Sequence, residues 1–307
     1  MHVYRVGISD RGLSALGLLE PLVKTLDAAN KFDIFHGLFL PSAKACLHIA
    51  AGRPVIASIR GADAAAWLRV PERAAVIREV IAQSTWITTV ASDLLAPLVD
   101  AANRIYRTSA IANSIDESKY PDKWTLEKAE RGAVGTVANF RKKKNIPLLL
   151  SGFAGIPKNH RSKLVLCGGF QYDPELKRQL LLHAGKLGLE QCIDFTGLVR
   201  PREVQSVVKK MHAFAITSND EGMPNALLEA AAIGVPLVCS DVGGMHDIIE
   251  DGVNGLLVPA GDESKLSHAL SRILSDDNLA KRLSQGALNL AKQLTPEREC
   301  REWTALY

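Results

Sequence analysis

Short apolar runs alternate with longer amphipathic segments along most of the chain, and this alternation constrains the fold more than any other feature. The apolar runs predict strands at residues 2–6, 33–36, 54–59, 86–90, 109–112, 133–138, 163–167, 193–196, 213–217 and 236–240. The segments with helical spacing between them are residues 13–29, 43–51, 72–83, 145–154, 174–187, 203–210 and 224–233. Because the strand candidates are continuously apolar, they are typical of parallel sheets that helices cover on both faces. The sequence therefore predicts an α/β fold of doubly wound parallel sheets.

One polar segment interrupts the alternation. Residues 116–131 are rich in charged side chains and contain Pro121, and the strand pattern restarts just after them. A chain of 307 residues is also too long for one ordinary core. We therefore predict a first domain at residues 1–116, a linker at 117–131, a second domain at 132–294 and a C-terminal helix at 295–307.

Composition narrows the classes of function. A formal net charge of +4 permits an anionic ligand but does not predict a nucleic-acid-binding protein. The five cysteines are widely spaced and form no CxxC pair, which argues against a disulfide framework or a zinc site and fits a reducing cytosol. No apolar run reaches the ~18 residues typical of a membrane-spanning helix. The sequence thus predicts a cytoplasmic globular protein and leaves peripheral contact with the inner membrane face open.

Two carboxylates, Glu221 and Glu229, flank the predicted start of one helix. Glu221 falls in the loop after the strand at 213–217, and Glu229 falls in the helix that follows Pro224. Backbone amides at a helix start bind anions, and carboxylates accept hydrogen bonds from hydroxyls. A ligand with both phosphates and sugar hydroxyls would use both kinds of group. The alternative is that Glu221 only complements the helix dipole and Glu229 is solvated.

Further polar or glycine-rich segments follow other predicted strands. The run Asn139-Phe140-Arg141-Lys142-Lys143-Lys144 comes after the strand at 133–138 and is either a cationic ligand site or a solvated loop. Gly168 and Gly169 follow the strand at 163–167 and are suited to a tight turn or to close contact with a ligand.

The segment Glu221-Gly222-Met223-Pro224-Asn225 through Glu229 resembles the E-x7-E signature of retaining glycosyltransferases of family 4. The similarity is dense over about residues 217–262. This resemblance implies the GT-B fold, in which two Rossmann-like domains face a cleft and the C-terminal helix returns towards the first domain. It also implies a nucleotide diphosphate sugar as donor, a glycan or lipid-linked glycan as acceptor, and catalysis without a metal or other cofactor.

The resemblance also implies roles for individual residues. Glu229 would bind the ribose of the nucleotide, Glu221 would contact the hydroxyls of the donor sugar, and Lys144 would neutralise the diphosphate. The remaining candidates are those near the sugar and phosphates (Gly222, Met223, Pro224, Asn225 and Gly168), Leu198 in the segment beside the base, and Arg141. Arg141 is a candidate because Asn139 stands where the family has an arginine.

The N-terminal half resembles the family more weakly. His36 matches a histidine at a strand end, although a structural role is equally well predicted. Residues 60–63 resemble the family's HGxD or RGxD loop, with Arg60 at the position that histidine often fills and Asp63 at its end. Arg60 would then face the diphosphate or an anionic acceptor. Asn113-Ser114-Ile115-Asp116 is similar to the family's NGVD, with serine in place of glycine.

The first domain is predicted to be shorter than is usual for the family, since a strand followed by a glycine-rich loop is not found at its start. We therefore predict a retaining glycosyltransferase and keep three alternatives. One is a donor-binding but inactive subunit, or a truncated domain that needs a partner or a missing N-terminal segment. The others are further GT-B enzymes, a sugar-nucleotide epimerase or a glycan phosphorylase.

Overall fold

The computed structural model describes residues 16–61, 70–95, 107–171 and 173–307. The chain divides into two compact units, one up to Ala112 together with Ala305–Tyr307 and the other comprising Asn113–Thr304. The predicted strand at 2–6 and the predicted site residue Asp63 lie outside the described residues.

The N-terminal unit contains a sheet of four parallel strands in the order β1-β2-β3-β4. Its elements are α1 (Leu16–Asn30), β1 (Phe35–Leu38), α2 (Leu40–Ala50), β2 (Val55–Ile59), α3 (Pro71–Gln83), β3 (Trp86–Thr89) and β4 (Thr108–Ala110). Every residue of β2 is buried, and Ile77 and Val80 of α3 pack into the same apolar cluster as Ile87 of β3. The continuous apolar runs thus form strands of a parallel sheet, as predicted.

The C-terminal unit contains six parallel strands. Its strands are β5 (Val134–Val137), β6 (Leu164–Cys167), β7 (Ile193–Gly197), β8 (Ala213–Ile216), β9 (Leu237–Ser240) and β10 (Leu256–Val258). Its helices are α4 (Ile146–Ala154), α5 (Pro174–Lys186), α6 (Pro201–Val208), α7 (Asn225–Ile233), α8 (Gly244–Ile248), α9 (Glu263–Ser275), α10 (Asp277–Gln293) and α11 (Pro296–Leu306).

The strand order in this second sheet is β10-β9-β8-β5-β6-β7. With β5 numbered 1 and the order read from β7 to β10, this is the Rossmann order 3-2-1-4-5-6. In this order the chain adds strands first on one side of β5 and then on the other, so its direction across the sheet reverses between β5 and β8. Ligands of open parallel sheets bind outside the carboxyl ends of the strands at such a switch point. We therefore expect the ligand site at the loops that follow Val137 and Ile216.

The predicted doubly wound α/β class is confirmed, and each predicted strand within the described residues lies within two residues of an observed one. Four elements were not predicted, namely β10, α8, α9 and α10. Pro224, predicted in the first turn of a helix, lies instead at the residue before α7. Gly234 ends that helix in the left-handed conformation, with φ of 86°.

Residues 117–131, predicted as a linker, pack on the C-terminal unit. Trp124 is buried, its backbone N–H donates to the carbonyl of Ile233 at 2.8 Å, and its indole Nε1 donates to the carbonyl of Met211 at 2.8 Å. Both bonds satisfy groups that would otherwise be buried without a partner.

Candidate functional site

The loops after β5 and β8 are bonded to each other at the switch point. Residues 142–144 form a single 3₁₀ turn after β5. The N–H of Asn219 donates to the carbonyl of Lys143 at 2.9 Å, and the hydroxyl of Thr217 lies 3.2 Å from the carbonyl of Lys144. The side-chain amide of Asn145 also donates to Asn219 at 2.9 Å. These contacts fix the lysine-rich turn against the loop that carries Glu221.

Glu221 is the most buried carboxylate of this region, with 5% of its surface exposed. The ammonium of Lys144 donates to its Oε1, and the hydroxyl of Ser218 donates to the same oxygen at 2.8 Å. The Nζ atom of Lys143 lies 3.5 Å from Oε2. A buried charge requires such partners, because an ion removed from water without them is strongly destabilising.

The loop after Glu221 is packed closely against residues 243 and 244. The N–H of Gly244 donates to the carbonyl of Gly222 at 2.5 Å. A Cβ atom on Gly243 would lie 1.9 Å from the carbonyl oxygen of Glu221, and the φ of Gly243 is 56°. Only glycine permits this approach, so the two consecutive glycines hold the backbone of residues 222–225.

A pocket of about 300 Å³ opens at the carboxyl ends of β5, β6 and β7. It is lined by Val137, Ala138, Asn139, Lys144, Cys167, Gly168, Leu198, Val199, Val204, Pro224, Asn225, Ala226 and Glu229. A cation, a carboxylate and the start of α7 thus meet around one volume, which suits a ligand with both anionic groups and hydroxyls.

Glu229 lies partly buried on α7 at the wall of this pocket. Burial raises the pKa of its carboxyl above the ordinary value for glutamate. The burial of Tyr120, followed by the negative charge of Glu229, raises the pKa of Tyr120 to about 12. Tyr120 is therefore within electrostatic range of the carboxylate, and the sequence analysis did not select it.

The structure brings six of the predicted site residues together as pocket lining, namely Lys144, Gly168, Leu198, Pro224, Asn225 and Glu229. Glu221 contacts Lys144 from behind the lining, and Gly222 and Met223 are buried in the loop next to it. Arg141 is exposed at the start of the 3₁₀ turn and is not among the lining residues. Arg60 follows β2 in the N-terminal unit.

Asn139 and the small residues at the strand ends are lining residues that the sequence analysis did not select. Asn139 lies two residues after the end of β5, and its Oδ1 accepts a hydrogen bond from Gln171 at 3.1 Å. The neutral amide therefore occupies the wall at the position where the resemblance implies an arginine. A position next to the end of a strand at the switch point is the signal that could have identified it.

Gly168 is required by the approach of two strand ends. Its φ is 143°, and a Cβ atom there would lie 1.8 Å from the carbonyl oxygen of Ala138. Both residues line the pocket. Glycine therefore allows the loops after β5 and β6 to meet beside the ligand volume.

In the N-terminal unit, polar side chains of three adjacent strands form a hydrogen-bonded chain. The Nε2 atom of His36 lies 2.6 Å from the hydroxyl of Ser58, which lies 2.5 Å from the hydroxyl of Thr88. The Nδ1 atom of His36 lies 2.5 Å from the hydroxyl of Tyr307. Burial, and then the charge of Arg60, lower the pKa of His36. His36 thus belongs to a structured polar cluster that Arg60 influences through its charge.

The described residues contain neither a candidate metal-binding cluster nor a candidate membrane-spanning helix. Among the described residues, no group of three or more His, Cys, Asp or Glu side chains is arranged to hold a metal ion. Within the same part of the chain, none of the helices combines the length and apolar character needed to cross a bilayer.

The architecture of the two units is that of GT-B proteins, a class of paired Rossmann-like domains. Residues 120–289 match the family described as "Glycosyl transferases group 1", and this match covers more than half of the 307 residues. The chain belongs to this family.

Two curated relatives differ in how much of their length is matched. The D-inositol 3-phosphate glycosyltransferase of Corynebacterium jeikeium is 32% identical over 151 residues, which is 48% of this chain and 36% of that enzyme. The N-acetyl-alpha-D-glucosaminyl L-malate synthase of Bacillus anthracis is 25% identical over 305 residues, which is 95% of this chain and 78% of that enzyme. The chain thus spans between about a third and four fifths of these relatives.

Among solved structures, HepE of Anabaena in complex with UDP has a TM-score of 0.80 to this chain. The likeness covers 95% of this chain and 83% of HepE, at 20% sequence identity. At this identity the comparison establishes the shared fold.

Proposed function

We propose that the chain is a retaining glycosyltransferase that moves a sugar from a nucleotide diphosphate sugar to a hydroxyl of a glycan or lipid-linked glycan acceptor. The observation that carries the proposal is the pocket at the carboxyl ends of β5, β6 and β7, where Lys144 and Glu229 line one volume. Membership of the glycosyltransferase family and the UDP bound by the structural neighbour HepE support it.

Each polar group has a role in this proposal that follows from its chemistry. Glu229 accepts hydrogen bonds from the two ribose hydroxyls. Lys144 supplies positive charge to the diphosphate, which gains negative charge as the sugar departs. A fixed cation in a partly buried site stabilises that developing charge more than water does, because it needs no reorganisation. Asn139 provides neutral hydrogen-bonding capacity at the wall, and Arg141 and Arg60 remain candidates for additional charge.

The hydrogen-bond partners of Glu221 are relevant to the stereochemistry of sugar transfer. A carboxylate nucleophile needs a free lone pair directed at the anomeric carbon. Oε1 of Glu221 accepts from both Lys144 and Ser218, Oε2 lies 3.5 Å from Nζ of Lys143, and Glu221 is not among the residues that line the pocket. Its role is better described as orienting the sugar through Oε2 and holding Lys144. Retention would then result from attack of the acceptor hydroxyl on the face that the diphosphate leaves, with a phosphate oxygen taking the proton. The reaction in this form uses neither a metal nor an organic cofactor, and we propose that none is needed.

A binding screen followed by a transfer assay tests the proposal. The melting temperature of the protein is measured with UDP, GDP, ADP and their common sugar conjugates, since a ligand that binds only the folded state raises it. Glu229→Gln should weaken binding and so reduce the shift, and Lys144→Ala should reduce turnover about 100-fold or more, which is typical of lost transition-state charge stabilisation. Lys142→Ala, in the same turn but exposed, is the matched control.

Two results would contradict the proposal in different ways. If no compound in the panel shifts the melting temperature, the pocket is not a nucleotide site. If a nucleotide binds but neither hydrolysis nor transfer of its sugar is detected with any acceptor, the chain is the donor-binding and inactive subunit described as the alternative.

A further inference from the structure

We propose that Asn113 is a positioning residue for the donor loop, residues 222–225, and that helix α11 holds Asn113 in place. The proposal deepens the function proposed above, because its consequence for affinity depends on that loop being part of the nucleotide site. The contacts themselves belong entirely to the C-terminal unit.

Asn113 makes three polar contacts with the donor loop. Its side-chain Nδ2 donates to the carbonyl of Met223 at 3.2 Å and to the Oδ1 atom of Asn225 at 3.3 Å. Its backbone N–H donates to the sulfur of Met223 at 3.2 Å. Pro224 lies between the two bonded residues and has no N–H of its own with which to fix the loop. Asn113 therefore bonds the loop on both sides of Pro224, although it lies 110 residues from Met223 in sequence.

The loop is bonded on its other side as well. The carbonyl of Gly222 accepts from the N–H of Gly244 at 2.5 Å. Asn113 and Gly244 thus hold opposite ends of a four-residue segment whose last two residues, Pro224 and Asn225, line the pocket. Asn225 is also the first residue of α7, so the contacts of Asn113 extend to the start of that helix.

Residues 113–115 are in turn fixed by α11 and the turn before it. The guanidinium of Arg298 donates to the carbonyl of Asn113 at 3.2 Å. The N–H and hydroxyl of Ser114 both donate to Oε2 of Glu299, at 3.1 and 2.5 Å. The N–H of Ile115 donates to the carbonyl of Leu294 at 2.8 Å. A side chain mounted on backbone held in this way is pre-organised, which is what a positioning residue requires.

Substitutions at residue 113 should reveal the direction of the hydrogen bonds. Asn113→Ala removes both side-chain bonds and should weaken nucleoside diphosphate binding about 10-fold, since small displacements of binding groups reduce affinity steeply. Asn113→Asp keeps the shape but places a carboxylate against the carbonyl of Met223 and the Oδ1 atom of Asn225. The Met223 carbonyl can only accept a hydrogen bond, so it repels the carboxylate, and Asp should be worse than Ala. A role limited to packing would give the opposite order.

Ser114→Ala is the matched control. It removes only one of the four bonds that fix residues 113–115, the one from its hydroxyl to Glu299. The bonds from Arg298, from the N–H of Ser114 and from the N–H of Ile115 remain, and so do the three contacts with the donor loop. The variant should lower the melting temperature without changing the affinity for the nucleoside diphosphate.

The experiment combines hydrogen–deuterium exchange of the full chain without ligand with calorimetric titration of UDP, GDP and ADP. We expect the amides of Gly222, Met223, Asn225 and Ala226 to exchange at least several-fold faster in Asn113→Ala than in the wild type, and to be unchanged in Ser114→Ala. Equal exchange of this segment in the wild type and in Asn113→Ala would overturn the proposal, as would equal acceleration in both variants. If none of the three nucleotides binds the wild type, the proposed function fails, while the exchange comparison still decides whether Asn113 positions the loop.

Discussion

Lys144 and Glu221 lie 77 residues apart in the chain, and the ammonium of Lys144 donates to the buried carboxylate of Glu221. One residue comes from the turn after β5 and the other from the loop after β8, the two strands that flank the switch point. Their ion pair therefore closes the carboxyl edge of the sheet at the place where an α/β protein of this topology binds its ligand. Lys144 is held in position by protein contacts before any ligand arrives.

This ion pair predicts that the effects of substituting Lys144 and Glu221 on the free energy of unfolding are not additive. Lys144→Ala leaves the Glu221 carboxylate buried with the more distant Lys143, and should reduce the free energy of unfolding by about 3 kcal/mol. The double variant Lys144→Ala with Glu221→Gln removes the buried charge and should be more stable than Lys144→Ala alone. Urea unfolding of the wild type, both single variants and the double variant measures the coupling. Additive effects of the two substitutions would show that the pair is not coupled.

The close contact at Gly168 predicts that Gly168→Ala is less stable than Gly188→Ala. In Gly168→Ala the new Cβ would overlap the carbonyl of Ala138, so the two strand ends must separate, and we expect a loss of about 3 kcal/mol or more together with loss of nucleotide binding. Gly188 also has positive φ, at 65°, but its Cβ would enter open space, so Gly188→Ala should cost about 1 kcal/mol. Thermal unfolding of both variants tests this. Similar losses in the two would mean that strain at φ, and not the close approach, determines the effect.

The sequence predicted the strands well because burial on both faces of a parallel sheet leaves a continuous apolar signal. It did not predict β10, which has only three residues. It also missed α9 and α10, although the signals were present. The side chains of Asp262 and Asp276 accept hydrogen bonds from the first turns of these helices, and buried residues such as Leu266 and Leu270 recur at helical spacing.

The candidate site could be predicted only as separate strand-end segments. Lys144 and Gly168 were identified in segments that follow a strand, and Glu229 in the helix after Pro224 and from the E-x7-E resemblance. All three line one pocket. The ion pair between Lys144 and Glu221 depends on β5 lying next to β8, which periodicity along the chain does not show. The contacts of Asn113 with the donor loop likewise join residues that are distant in sequence. The sequence therefore identified Asn113–Asp116 as a segment similar to the family but did not show that Asn113 bonds residues 222–225.

His212 predicts a loss of stability in mild acid. It is fully buried, and burial, followed by the charge of Arg131, lowers its pKa to about 4. The unfolded chain binds a proton near the ordinary pKa of about 6.5. Because the folded pKa is the lower one, the stabilisation is present above pH 6.5 and is lost as the pH falls from there towards 4.

Between pH 7 and pH 5 this histidine should account for a decrease of about 2 kcal/mol in the free energy of unfolding. Urea unfolding of His212→Gln at the two pH values should show a correspondingly smaller decrease than the wild type. His160→Gln, which changes a partly exposed histidine of the same unit, is the control. An unchanged decrease in His212→Gln would mean that other groups are responsible for the acid sensitivity.

Glu229 predicts opposite effects on stability and on binding. Burial raises its pKa, so the folded protein favours the neutral carboxyl, and the contribution of this group to stability is greatest at low pH and is lost as the pH rises through the raised pKa. Glu229→Gln removes the charged form altogether. The free variant should therefore melt at a higher temperature than the wild type at pH 7, and the difference should diminish as the pH is lowered.

Binding of the nucleoside diphosphate should change in the other direction. The ionised carboxylate of Glu229 would accept hydrogen bonds from two ribose hydroxyls. Each hydrogen bond to a charged group contributes about 1.5–3 kcal/mol. Glu229→Gln should therefore weaken binding at pH 7 by at least about 10-fold. Wild-type affinity should fall as the pH is lowered through the raised pKa, whereas the affinity of Glu229→Gln should not follow this titration. Calorimetry across pH 4.5–8, with the exposed Glu250→Gln as control, measures both trends. If Glu229→Gln binds as tightly as the wild type, this carboxylate does not contact the ribose, and the higher melting temperature would reflect only the removal of a buried charge.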